Sequence, residues 1–322
     1  MSVRSHAVVL GAVSAVLIAL ALGYHNPFIL DLVFTGLIFA VLGQSWNWIS
    51  GYAGQISFGQ ALFFGCGAYA AALFAVHHGS PWLALVAGAV VAAALALMVG
   101  FPCFALRGHY FSIATIAVAA IAEIAATNAD VLGKANGFEM PILPPSLAAL
   151  QFTDKGQYVL VALALFIVAQ VATITLERSR LGYYLRAVRQ NQEAAASVGI
   201  DARFAKLVTY AGCGALAALA GALYAQQTLY VGPEDTLGLP ISISIALVGV
   251  VGGLSTVWGP TLGAFVYVVL ARYGGAMLGG SGRGLDLVLY GALILLIVSL
   301  QPDGLAGFAR LVRRRRRTMS SP

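Results

Sequence analysis

The residues able to do chemistry are few and fall in three places. Gln55, Ser57 and Gln60 lie in the stretch GYAGQISFGQ, interleaved with Gly51, Gly54 and Gly59. Ser112, Thr115, Ala119 and Glu123 recur at i, i+3, i+7 and i+11, which places them on one face of a helix. Glu193, Ala194 and Ala195, followed by Gly199, stand among Arg186, Arg189 and Arg203. In the first two places, amides, hydroxyls and the single carboxylate of Glu123 suit the handling of a small polar solute. No nucleophile elbow, carboxylate pair or histidine cluster accompanies them, so no catalytic residue is expected. Cys66, Cys103 and Cys213 are far apart with no CxxC pair, which argues for packing rather than for a metal site or a disulfide framework.

The elements that must hold these residues follow from composition. The 322 residues are 60% hydrophobic and only 9% charged, with a mean hydropathy of +0.88. A soluble domain carries roughly a quarter charged residues. An all-α, polytopic membrane protein is therefore expected; a β-barrel would show apolar alternation over about 10 residues, not continuous runs of about 20. Apolar windows predict about ten spans, at 7–24, 28–49, 55–76, 82–104, 109–127, 157–176, 205–228, 240–258, 261–278 and 286–301. The first follows Arg4 like a signal peptide, but no clear small-x-small cleavage site follows and it reads as a retained span.

Lysine and arginine orient the spans. Arg178, Arg180, Arg186, Arg189, Arg203 and Lys206 crowd the loop between spans six and seven, and Arg310 and Arg313 to Arg317 crowd the tail. Counting spans puts both regions, Arg4 and Arg107 on one side, the cytoplasm by the positive-inside rule, with both termini there. The +6 net charge thus marks membrane topology and anionic lipid contact, not nucleic acid. Residues 1–322 are expected to form one transmembrane domain with a cytoplasmic loop at 177–206, an outer loop at 128–156 and a basic tail at 304–322. Ten spans divide as five and five, the geometry of an inverted repeat, although GYAGQISFGQALFFG and GGLSTVWGPTLGAF share only a glycine and serine rhythm. No GxxxxGK[ST] phosphate loop occurs, so an ATP motor, if there is one, must be a separate polypeptide.

Two placements bear on transport. An intramembrane carboxylate such as Glu123 costs about 2.5–3.5 kcal/mol on insertion scales unless it faces water or a partner. It either lines a translocation route with Ser112 and Thr115 or is solvated near the outer interface. In a regular helix Gln55 and Gln60 would be about 140° apart. Only a broken helix start, permitted by Gly51, Gly54 and Gly59, brings both amides to one cavity; the alternative is a cytoplasmic turn whose glutamines meet solvent. Gly252, Gly253 and Gly259 promise a second break or close packing. Ala61, Gly65, Ala68 and Ala72, and Gly214, Ala218, Gly221 and Ala225, form small-residue stripes suited to close helix approach.

The run Glu193-Ala194-Ala195 with Gly199 resembles the EAA loop of bacterial ABC-importer permeases. GYAGQISFGQALFFGCGAYAAAL, LRGHYFSIATIAVAAIAEI, RAVRQNQEAAASVGI followed by AGALYA, and GGLSTVWGPTLGA together resemble, in order, branched-chain amino-acid permeases of the LivM type. The likeness covers about Gly51 to Gly263. It departs at Leu132-Gly133-Lys134-Ala135-Asn136-Gly137, where the family often has a Thr-Gly-Gly turn. The resemblance implies an inner-membrane transport subunit that performs no covalent chemistry and holds no cofactor, ATP and magnesium belonging to a partner ATPase. Its implied partners are a second, LivH-like permease subunit, two ATPase subunits, a periplasmic or lipid-anchored solute-binding protein and the lipid bilayer. It also implies that Glu193, Ala194, Ala195 and Gly199 shape a coupling helix for the ATPase, flanked by Arg186, Arg189 and Arg203. A permease for urea or short amides, or a stand-alone secondary transporter or channel drawing on Asp31, Glu123 or Asp286, remains open at this point.

Overall fold

Long apolar stretches bounded by proline, asparagine and aspartate fold here as helices with ordinary caps. In the computed structural model, described over residues 3–24, 26–106 and 108–277, twelve α-helices occur. They are α1 (Val3–Gly23), α2 (Pro27–Asn47), α3 (Gln60–Val76), α4 (Pro81–Cys103), α5 (His109–Asn128), α6 (Lys155–Arg178), α7 (Arg180–Gln190), α8 (Gln192–Ser197), α9 (Ala202–Thr228), α10 (Pro233–Leu237), α11 (Leu239–Gly252) and α12 (Gly259–Met277). Asn26 caps α2 and Asp154 caps α6 by accepting backbone N–H bonds, and proline opens α2, α4, α10 and α11. Nine of these helices match the first nine predicted spans. Seven segments are long and apolar enough to cross a membrane, and α3 and the start of α12 are shorter apolar helices. The tenth predicted span, Asp286, and the 304–322 tail lie outside the described residues.

Two boundaries differ from expectation. Predicted span three starts at Gln60 rather than residue 55, because Gly54 is left-handed at φ +73°. Predicted span eight stops at Gly252, because Gly253 (φ +110°) and Ser255 (φ +56°) turn the chain before α12. A non-glycine residue there is strained, and the hydrogen bonds described below hold it.

The small-residue stripes make the closest helix approaches. A Cβ on Gly221 would overlap the Phe64 carbonyl, one on Gly67 the Ala218 carbonyl, and one on Gly214 would press on the Ala92 carbonyl. Thus α9 lies backbone to backbone against α3 and α4, as small residues allow in lipid. On another side, α2 nests into α11 and α12, with Gly43 against Val248 and Pro260 and Gly249 against Trp46.

Connections alternate between two ends of the bundle. At one end Arg203 donates to the Phe101 carbonyl of α4, so the α7–α8 hairpin shares a side with the turn after α4. At the other, β1 (Phe138–Glu139) pairs antiparallel with β2 (Tyr230–Val231), and Trp82 donates to the Leu147 carbonyl. The 128–156 loop is thus sewn to the segments after α3 and α9 by pairing between residues far apart in sequence, which no apolar pattern announces. The glycine-rich turns before α3 and before α12 both lie at the hairpin end. Their shared rhythm therefore marks two turns facing the same way, not spans related by inversion.

Candidate coupling node and buried polar sites

The hairpin is built from local rules. Ser179 caps α7 through the Gly182 amide, and Asn191 Oδ1 accepts from the amides of Glu193 and Ala194 to start α8. Gly199, at φ +85°, ends it: the Gly199 amide bonds to the Ala196 carbonyl and the Ile200 amide to the Ala195 carbonyl. That pairing is a Schellman closure, which needs a left-handed residue at this position. Ala195 is buried with Val188 and Ala202 in a small core of its own. Glu193, Ala194, Ala196 and Ser197 face outward, and Val198 at the tip is 75% exposed. Lys206 Nζ donates to Gln192 Oε1 at 2.8 Å, tying α8 to α9.

The three arginines do not flank α8 as free contacts. Arg186 donates to the Glu177 carbonyl at 2.7 Å, and Arg203 donates to the Phe101 carbonyl at 2.7 Å while lying over the Phe101 ring. Of the three, Arg189, itself exposed, makes the contact most distant in sequence. It donates to the Gly51 carbonyl at 2.7 Å and to Ser255 Oγ, and its stem covers the α-carbon of Gly54. Backbone carbonyls at helix ends are strong acceptors for a guanidinium, and each arginine has found one in its own chain.

Gly51 and Ser255 belong to the two glycine-rich turns. After α2 the chain makes a π-helical turn, Trp48–Tyr52, and Gly54 then reverses it. Ser50 Oγ donates to the Gln55 carbonyl, and the Gln55 amide bonds to the Ile49 carbonyl. Across from it, Ser255 Oγ donates to the Gly51 carbonyl at 2.6 Å. Asn47 Oδ1 accepts from the Ser255 amide at 2.9 Å, and Asn47 Nδ2 donates to the Thr256 carbonyl at 3.0 Å. A Cβ on Gly51 would overlap Asn47 Oδ1, and one on Gly252 would overlap the Gly259 carbonyl. Among the six glycines singled out, Gly54 and Gly253 break helices by conformation, whereas Gly51, Gly59, Gly252 and Gly259 serve close approach.

The other singled-out polar residues meet at the α3–α5 junction. Ser112 Oγ donates to the Ile56 carbonyl at 2.7 Å, and Thr115 Oγ1 accepts from the Phe58 amide at 3.1 Å. The polar face of α5 is therefore spent on the broken segment. Ser57 is buried, accepting from the Gly59 amide and within reach of Tyr210 Oη. Gln55 and Gln60 do not share one environment. Gln55 is half-buried, while Gln60 is 0% exposed and neither its Nε2 nor its Oε1 has a hydrogen-bond partner among the described residues. Glu123, half-buried, lies two turns beyond Thr115 on the same face.

One network escaped the sequence reading. Gln44 Nε2 donates to Gln170 Oε1 and to Thr261 Oγ1 (3.2 Å), and Gln44 Oε1 accepts from Thr173 Oγ1 at 3.1 Å. Trp48 Nε1 donates to Thr173 Oγ1, and Gln170 Nε2 to the Val257 carbonyl. These side chains pin α2, α6 and α12 together. A glutamine in an apolar run was the available signal, but it names no partner. At the opposite end Asp31, a candidate coupling acid, is held by Arg272 at 2.8 Å and by Gln227 at 2.8 Å, with Lys155 at 3.9 Å. Among the described residues no group of three or more metal-ligating side chains occurs.

Residues 28–298 match the family described as branched-chain amino acid transport system / permease component. The chain is 28% identical over 305 residues to the high-affinity branched-chain amino acid transport system permease protein LivM of Escherichia coli (strain K12), covering 87% of this chain and 70% of that protein. LivM of Salmonella typhimurium matches to the same extent. The permease protein BraD of Pseudomonas aeruginosa is 28% identical over 149 residues, 46% of this chain and 47% of that protein. No solved structure matches the chain. The apolar helices and the match to nearly the whole described bundle lead to one conclusion: this multi-pass membrane protein belongs to the family of branched-chain amino acid transport permease components.

Proposed function

We propose that the chain is a membrane subunit of an ATP-driven importer for branched-chain or related amino acids, with α8 as the element that docks into a separate ATPase. The observation that carries this reading is the form of α8. It is a knob capped at both ends, with Glu193, Ala194, Ala196 and Ser197 exposed on its outer surface and only Ala195 turned inward. Such a knob fits a groove on a partner. The printed names of the relatives, all branched-chain amino acid transport permeases, favour that substrate class over urea, short amides or a stand-alone channel.

In this reading ATP and magnesium stay with two ATPase subunits, a second permease subunit completes the pathway, and a solute-binding protein delivers substrate opposite the hairpin. The basic hairpin faces the cytoplasm, with both termini on that side. Gln60, a buried amide with no hydrogen-bond partner among the described residues, is the pathway group at the start of α3, and Glu123 is positioned for an ammonium further along α5. Unpaired buried polar groups cost about 1–3 kcal/mol each and collect at functional sites.

Glu193→Lys tests the docking. Expected is loss of the co-purifying ATPase or a fall in ATP-driven leucine uptake of roughly tenfold or more, with helicity and elution profile unchanged. Wild-type uptake with the ATPase still bound would remove α8 from the coupling role.

A further inference from the structure

We propose that Arg189 is a latch that makes the hairpin and the two glycine-rich turns move as one body, and that it acts inside this chain rather than against the ATPase. The inference rests on the coupling reading of α8 and adds the route by which a push on α8 enters the membrane.

Arg189 lies two residues before Asn191, the cap of α8, so the docking helix and the latch share a rigid local frame. Its guanidinium bridges Gly51, in the turn that leads to α3, and Ser255, in the turn that leads to α12. Those turns are already joined by Ser255 Oγ to the Gly51 carbonyl and by Asn47 to Ser255 and Thr256. Arg189 therefore adds the hairpin to an existing clamp. Beyond the clamp the first turn carries Gln55 to Gln60, whose carbonyls and amides hold the Ser112 and Thr115 face of α5. A displacement of α8 thus reaches α5 through a chain of polar contacts that ends on Ile56 and Phe58, in the segment leading to Gln60.

The turns are built to pivot rather than to stretch. Gly54, covered by the Arg189 stem, is at φ +73°, Gly253 at φ +110° and Ser255 at φ +56°. Residues in sparsely populated backbone regions persist only where surrounding bonds fix them, and they cluster at switch regions. Ser255 has three such bonds: to Asn47, to Gly51 and from Arg189. The bonds are charge-assisted on the arginine side, which makes the link stronger than a neutral one.

The test uses the assembled transporter in liposomes, with labelled L-leucine as substrate. Leucine moved per ATP hydrolysed, ATPase retention and melting temperature are each recorded. Arg189→Ala is expected to keep the ATPase bound and hydrolysing while leucine moved per ATP falls roughly fivefold or more. Arg189→Lys, which keeps the charge but lacks the rigid guanidinium fork, recovers part of the loss. Ser255→Gly removes the hydroxyl while suiting the left-handed backbone, and should lower the ratio about twofold or more; combined with Arg189→Ala it should add nothing. An unchanged ratio in Arg189→Ala overturns the latch, and so does release of the ATPase, which would make Arg189 a docking contact. If Arg189→Ala does not fold, an unchanged ratio in Ser255→Gly overturns it. Should Glu193→Lys uncouple while both latch variants behave as wild type, the latch alone is wrong. Should Glu193→Lys also leave coupling intact, the parent reading fails with it.

Discussion

Two glutamines with the same burial have opposite surroundings. Gln44 and Gln60 are both 0% exposed, one in the last turn of α2 and the other at the first residue of α3. Gln44 uses both ends of its amide, on Gln170, Thr261 and Thr173. Gln60 uses neither among the described residues. A buried amide bonded on all sides is a clamp, whose removal strands its partners. One without such bonds costs free energy to bury and is available to a passing solute. Burial alone does not separate structure from function; satisfaction does.

The largest effect should come from the clamp. Gln44→Leu leaves Gln170 and Thr173 short of partners, at a cost of about 1–3 kcal/mol for each stranded group. The expected outcome is a clear fall in melting temperature and in yield of monodisperse protein. Gln60→Leu is the counterpart, expected to melt at or slightly above the wild-type temperature while leucine uptake drops roughly tenfold. If the two variants destabilise alike, the contrast collapses and Gln60 is a structural residue. Gly54→Ala probes the break between them: a left-handed alanine costs about 1–2 kcal/mol, so melting should fall moderately, and uptake further if the Arg189 stem is displaced. Gln55→Ala is the smallest, within about 0.5 kcal/mol in stability. A large uptake loss there would mean that both amides of GYAGQISFGQ meet the solute after all.

Much of the architecture was legible beforehand. Nine helices stand close to where apolar windows put them, since exclusion from water acts on each segment by itself. The alternation of loops between two ends follows from the same count. The α8 hairpin was readable from Glu193-Ala194-Ala195 and Gly199, because capping and helix stops depend on neighbours in sequence. Its arginines were not. Arg186 and Arg203 look like docking contacts in a line of text, yet each is taken up by a carbonyl of this chain. The Ser112, Thr115 and Glu123 face was placed correctly as a face. What it touches, the Ile56 carbonyl and the Phe58 amide, depends on a fold-back of more than fifty residues.

By itself the sequence determined the class, the number and order of the described membrane helices and the family to which the chain belongs. Each of these rests on composition, local periodicity or ordered motifs. Only the tertiary structure decided that Asn47, Gly51, Arg189 and Ser255 form one node, that Gln44 is satisfied, and that Gln60 has no hydrogen-bond partner among the described residues. The physical reason is range: a hydrogen bond is made or lost by the approach of groups that may be 200 residues apart in sequence, as Asn47 and Ser255 are. Hydropathy is a property of each residue alone, but satisfaction of a buried polar atom belongs to the packed pair.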